Sequence, residues 1–145
     1  MLVVDTNVLV YASDRDSPYH APCRGWLETQ RARPDAWYTT WPILYEFLRI
    51  TTHPRVMRKP WNVSEAWQFV TALLASPGLD VLVPTQRNVE VAGQVIEGIP
   101  DLAGNLLHDA HTAILMREHG IRRICTRDTD FHRFPFLEVI DPLHP

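Results

Sequence analysis

The sequence predicts an α/β fold, with a central, mainly parallel sheet of about five strands covered by helices on both faces. Three observations predict it. Short apolar, β-branched runs recur along the chain, and helix-length segments separate them. The third is size: 145 residues without repeats, low-complexity tracts or long linkers make a single domain, residues 1–145, long enough to bury one core. Strands and helices alternating in this way imply a parallel sheet buried on both sides.

Each element follows in order. Leu2–Asp5 is the first strand, a Val-Val run that ends on an acid. Asn7–Ala12 is a short helical turn. Ser17-Pro18 pairs an N-cap residue with proline at the first helical position and opens a helix to about Arg33. Ala36–Thr40 is the second strand, and Pro42 opens a helix through about Thr52. Asn62-x-x-Glu65 resembles a capping box and starts a helix that ends near Ser76-Pro77-Gly78. Asp80–Val83 is the third strand and Asn88–Glu97 the next helix. Asn105–His119 is the clearest helix, closed by Gly120 as its C-cap. Arg123–Thr126 and Leu137–Ile140 are the last strands. The twelve prolines are scattered between these elements as punctuation.

Four acids stand in costly places. Asp5 and Asp128 follow strands, whereas Glu46 and Asp109 sit in apolar helical stretches near helix starts. Burying one unpaired carboxylate costs several kcal/mol or forces its pKa up. Each acid alone has a bland account. Asp5 reads as a cap for the next turn, Glu46 as a solvated helix position and Asp109 as an acid favoured by the helix dipole. Asp128 and Asp130 lie two apart, and one of them caps the turn before Phe131. Together they read differently. In an open parallel sheet the binding crevice lies at the carboxyl ends of the strands, where strand order reverses. Carboxylates converging there need a cation, and hard cations held by oxygen serve phosphoryl chemistry.

Composition bounds the alternatives. Net charge is −3, which argues against a nucleic-acid binder acting through bulk electrostatics. A pocket of acids neutralised by metal would leave the remaining surface close to neutral or basic. Hydrophobic content of 46% with 10% aromatics is ordinary for a soluble domain. No apolar run approaches the roughly 20 residues that span a bilayer. No basic region precedes the first apolar stretch, so no signal peptide is expected and the expected compartment is the cytoplasm. Of the two cysteines, Cys23 lies in a helix and Cys125 in a strand as a small buried hydrophobe, and no disulfide is expected. Metal spacings C-x-x-C and C-x-x-H are absent, as are G-x-S-x-G and glycine-rich phosphate loops. His108 and His111 flank Asp109 and either support it or lie exposed.

These residues resemble a known pattern. Val3-Val4-Asp5-Thr6-Asn7-Val8-Leu9 resembles the opening of a PIN domain. Glu46 in its apolar helix, Asp109-Ala110-His111-Thr112-Ala113 and Thr126-Arg127-Asp128-Thr129-Asp130-Phe131 resemble the later motifs in order and spacing, over essentially the whole chain. Among PIN proteins the chain is most similar to single-domain VapC toxins of bacterial toxin–antitoxin pairs. The resemblance implies a three-layer α/β/α sandwich and a metal-dependent endoribonuclease. It implies Mg²⁺ or Mn²⁺ held by Asp5, Glu46, Asp109 and Asp128. Thr6, Asn7 and Thr126 match positions that orient the acids or bound water, with Asp130 grouped beside them and Asp128 favoured as the ligand. It further implies a structured RNA substrate such as tRNA or rRNA, inhibition by a VapB-type antitoxin, and a homodimer. Arg49, Arg127 and Arg133 are candidate phosphate contacts, as are Arg55 and Arg58. Trp41, Trp61 and Trp67 offer faces to unpaired bases, although core or dimer packing accounts for them as well. The alternative is a catalytically inactive PIN-like RNA- or protein-binding module. A strand-end Asp also begins haloacid-dehalogenase-type phosphatase sites, but that chemistry wants a second Asp where Asn7 stands and a lysine, of which Lys59 is the chain's only one.

Overall fold

The computed structural model describes residues 1–145. Five strands form one parallel sheet: β1 (Val3–Val4), β2 (Trp37–Thr40), β3 (Leu79–Leu82), β4 (Arg123–Cys125) and β5 (Glu138–Ile140), in the order β3-β2-β1-β4-β5. Six helices connect them: α1 (Thr6–Ser13), α2 (His20–Ala32), α3 (Trp41–Thr51), α4 (Val63–Leu74), α5 (Asn88–Gly98) and α6 (Leu106–Glu118). The chain runs outward from β1 to β3 and then crosses back to β4. Right-handed crossovers therefore put α1 to α4 on one face and α5 and α6 on the other. The helix contacts agree, since α1 packs on α2 and α3, α3 on α4, and α5 on α6. This is the predicted three-layer α/β/α sandwich.

Strand order reverses between β1 and β4, where Val3 pairs with Ile124 and Val4 with Cys125. Asp5 N–H donates to the Cys125 carbonyl at 3.0 Å, so the ladder persists to the point where the two chains leave the sheet. Both strands end at one crevice, which fixes where the acids must meet. Val3, Val4, Ile124 and Cys125 are fully buried. Cys23 is buried too, and both thiols are free.

The helix starts differ from expectation in one instructive place. The residues Ser17-Pro18 do not open α2, which begins at His20; the Ser17 hydroxyl instead accepts from Tyr19 N–H at 3.1 Å in a tight turn. Pro22 is the reason. A helix opening at Pro18 would place Pro22 where its missing N–H breaks the ladder and its ring meets the Pro18 carbonyl. Starting at His20 keeps Pro22 within the first turn, where neither matters. Elsewhere the reading holds within a residue or two. Thr40 caps α3 through Ile43 N–H at 3.2 Å with Pro42 in the first turn, and Asn62 caps α4 through Glu65 N–H at 2.9 Å. A 3-10 turn runs over Thr129–Arg133, and of the two acids offered as its cap Asp128 is the one, its Oδ1 accepting from Asp130 N–H at 2.9 Å.

An aromatic cluster holds one face and a buried carboxylate the other. Phe47 stacks on Phe69 at 4.8 Å with Trp61 edge-on to Phe47, which ties α3 to α4 and commits Trp61 to packing. Trp41 and Trp67 remain exposed. On the other face Glu118 latches the loop after β3. Its Oε1 accepts from Thr85 N–H at 3.0 Å and from the Thr85 hydroxyl at 2.7 Å, and its Oε2 accepts from Asn88 at 2.8 Å. Glu118 is buried, whereas Thr85 is exposed and Asn88 half-buried, so in Glu118→Ala water reaches the freed donors. The substitution is expected to lower the urea-unfolding free energy by about 1–2 kcal/mol, with Glu118→Gln costing less. An unchanged midpoint for the alanine variant would show the latch to be idle.

Candidate active site

Asp5 leaves β1 and is the N-cap of α1, so it plays both parts the sequence offered it. Its Oδ1 accepts Thr6 N–H at 2.8 Å, and its Oδ2 accepts the Thr126 hydroxyl at 2.8 Å and Asn7 Nδ2 at 3.0 Å. Asn7 and Thr126 stitch the two strand ends together. Asn7 Nδ2 also donates to Thr126 Oγ1 at 3.0 Å, Asn7 Oδ1 accepts Arg127 N–H at 3.0 Å, and Thr126 Oγ1 accepts Asp128 N–H at 2.9 Å. A side chain on α1 thereby sets the backbone path that delivers Asp128.

Glu46 arrives from the second turn of α3 and stands on the open rim. Thr6 Oγ1 lies 3.2 Å from its Oε2, and Arg49 approaches its Oε1 at 3.7 Å. Asp109 comes from the first turn of α6, on the opposite face of the sheet. One cavity of about 340 Å³ is lined by Asp5, Thr6, Asn7, Val10, Tyr11, Glu46, Ile50, Asp109 and Asp128. All four predicted acids thus border the same space, and Thr6 and Asn7 border it with them.

The acids are not equally close. Carboxylate oxygens of Asp109, Asp128 and Asp130 lie within 4.8 Å of one another, whereas Asp5 and Glu46 line the cavity without joining that trio. Asp130 is exposed and outside the lining, yet it belongs to the tightest trio. Asp128 belongs to both sets.

Charge is the dominant energetic fact of this space. Burial pushes the Asp5 carboxyl up to about 6, against the opposing pull of its bonds from Thr126 and Thr6. Burial, followed by repulsion from Asp128, Asp5, Asp130 and Glu46, pushes Asp109 up to about 7. No basic side chain answers Asp5, Asp109, Asp128 or Asp130; among the site acids only Glu46 has an ion-pair partner, the Arg49 at its rim. An all-oxygen, net-negative pocket without an internal counter-ion fits a hard divalent cation.

The predicted phosphate contacts fare differently. Arg127 is turned inward, with its guanidinium 4.3 Å from the Tyr19 ring centre and 3.2 Å from Asp141, and is spent on the fold. Arg133 pairs with Asp101. Arg49 stays at the mouth of the cavity, and Arg55 and Arg58 are exposed on the loop after α3. Sequence reasoning missed Val10, Tyr11 and Ile50. Helical spacing could have found them, since they lie one turn beyond Thr6, Asn7 and Glu46 on the same faces.

Comparison with known proteins gives consistent likenesses. A family model described as PIN domain matches residues 2–137. The chain is 32% identical to Ribonuclease VapC48 of Mycobacterium tuberculosis over 138 residues, 95% of this chain and 94% of that one. Among solved structures it superposes on M. tuberculosis VapC20, described as a sarcin-ricin loop cleaving toxin, with a TM-score of 0.65 and 18% identity over 97% of this chain and 100% of that one. It also superposes on VapBC2 of Rickettsia felis bound to a promoter DNA fragment, with a TM-score of 0.68 and 16% identity over 96% of each chain. At those identities the two structures speak for the fold alone.

Proposed function

We propose, from the premise that this chain belongs to the PIN-domain family, that it is a VapC-type toxin: a metal-dependent endoribonuclease that hydrolyses phosphodiester bonds in structured RNA. One observation carries the reading. Acids from β1, α3, α6 and the segment after β4 border one cavity at the strand-order reversal, with no internal cation among them.

Asp109 and Asp128 would hold the cation, Mg²⁺ or Mn²⁺, with Asp5 and Glu46 completing the oxygen set directly or through water. A bound cation would offset the carboxylate charge, polarise a phosphodiester oxygen and favour attack by water. The chain's own residues supply position. Thr6 steadies Glu46, Asn7 and Thr126 fix Asp5, and Thr126 fixes Asp128 through its N–H. No lysine or histidine lines the cavity, so the acids themselves orient water and no separate general base is assigned. Asp130 stands beside this set as an orienting group. Arg49, with Arg55 and Arg58 beyond it, remains placed to meet phosphates.

Partners follow from the same reading: a VapB-type antitoxin and a second copy of the toxin. No helix is long and apolar enough to cross a membrane, and the proposed compartment is the cytoplasm. The test is total cellular RNA incubated with the purified, antitoxin-free protein and Mg²⁺, Mn²⁺ or EDTA. Discrete fragments that appear only with metal are expected. Intact RNA in every lane, from folded protein, would favour the inactive binding-module alternative.

A further inference from the structure

The cavity has a second wall that the cation chemistry does not use. Val10 and Tyr11 continue the Thr6–Asn7 face of α1, and Ile50 continues the Glu46 face of α3. The carboxylates therefore give way, one helical turn along the α1–α3 groove, to an apolar surface with an aromatic ring in it. A cation asks for oxygen ligands, and a phosphodiester asks for that cation or for hydrogen-bond donors; neither asks for valine, isoleucine and the face of an aromatic ring.

The ring is held. Tyr11 packs against Tyr19 at 5.1 Å between centroids and 64° between planes. Tyr19 lies against the Arg127 guanidinium, which Asp141 anchors at 3.2 Å. The Tyr11 carbonyl meets His20 Nδ1 at 3.1 Å, which fixes the backbone as well. These contacts set the ring's direction without covering it, because Tyr11 stays half-buried on the cavity wall. The whole space, about 340 Å³, lies at the lower end of the range for small-molecule sites, about 300–1,000 Å³.

Electrostatics give such a wall a use. With the carboxylates matched to a cation and a chain net charge of −3, little positive charge is left over for the phosphate backbone, so a neutral part of the substrate has a contribution to make. An unpaired base offers a π-face that stacks on tyrosine and edges that pack on aliphatic side chains.

We propose that Tyr11, flanked by Val10 and Ile50, is the stacking surface for the unpaired nucleobase next to the scissile phosphate. The proposal rests on the ribonuclease reading. It makes Tyr11 a specificity-determining residue, since only a nucleotide free to leave its helix presents the face Tyr11 needs.

The test uses an oligoribonucleotide carrying 2-aminopurine beside the cleaved bond, with Ca²⁺ in place of Mg²⁺ for the binding measurement. Quenching of its fluorescence is expected with the wild type and with Tyr11→Phe, and is expected to vanish with Tyr11→Leu, whose folding is checked by circular dichroism. In cleavage with Mg²⁺, Tyr11→Leu should lower kcat/KM about tenfold or more. An abasic nucleotide at that position should lower wild-type cleavage by a similar factor, with no further loss from Tyr11→Leu. Equal losses by the leucine variant on intact and abasic RNA, or quenching that survives it, would overturn the subsite. So would a Tyr11 effect confined to inhibition by a protein partner. A wild type that cuts no RNA overturns the ribonuclease reading and this subsite with it, whereas a cutting wild type indifferent to Tyr11 overturns the subsite alone.

Discussion

Asparagine in place of Asp5 is expected to reduce metal-dependent RNA cleavage by at least ~10²-fold, and to restore growth to cells that arrest when the wild-type chain is expressed. The expectation comes from how the carboxylate is used. Three donors converge on it: Thr6 N–H, the Thr126 hydroxyl and the Asn7 amide. An asparagine there must turn its own N–H₂ toward at least one of them, which disturbs the link that sets Asp128. Removing a supporting partner of a metal ligand typically costs 10–100-fold, and a residue that borders the site and also holds another ligand in place should cost no less. Asp109→Asn and Asp128→Asn should be comparably damaging. Asp130→Asn should cost about tenfold or less, because Asp130 is exposed and outside the cavity lining although it joins the tightest trio. Asp130→Asn as severe as Asp128→Asn would make Asp130 a ligand in its own right. Asp5→Asn protein that is folded and still cuts RNA at the wild-type rate would remove Asp5 from the site.

Much of this site was readable before the fold, for a physical reason. A carboxylate that ends a buried Val-Val run, or sits within apolar helical turns, violates local hydrophobic logic, and such violations are visible in one dimension. What joins them is not visible there. The β1–β4 pairing spans most of the chain, and hydrophobic patterning says that strands are buried without saying which are neighbours. The hydrogen bonds of Asn7 and Thr126 depend on that pairing and so emerged only with it. Arg127 shows the opposite failure. Beside a site acid it reads as a phosphate contact, but Tyr19 and Asp141, remote in sequence, claim it. Ser17-Pro18 failed for a local reason, since two sound start signals were overruled by a proline four residues on. Tyr11 was legible and overlooked, because attention to charged residues passes over the apolar face beside them.

The protein stripped of divalent cations is expected to lose stability as pH rises from about 4 to about 7, and a divalent cation to restore it. The sign follows from Asp5. Its folded pKa, about 6, lies above the ordinary value of 3.8, because burial disfavours the charged form. A folded state that holds its proton more tightly than the unfolded chain is favoured most below the unfolded pKa, and that advantage disappears as pH climbs through the folded one. For Asp5 the difference is worth ~3 kcal/mol at full ionisation. Asp109, pushed to about 7, acts in the same direction, but it is only partly buried and its shift comes partly from the same neighbouring charges, so the two do not add. With EDTA present, the melting temperature at pH 8 should therefore fall below that at pH 5.5. Millimolar Mg²⁺ or Mn²⁺ should raise it at pH 8, where the carboxylates are bare, and do little at pH 5.5, where protons occupy the same oxygens. Asp109→Asn should flatten the EDTA profile and blunt the response to cation. A melting temperature that climbs from pH 5.5 to 8 in EDTA, or a cation effect equal at both, would mean that these carboxylates are neither frustrated by burial nor relieved by metal.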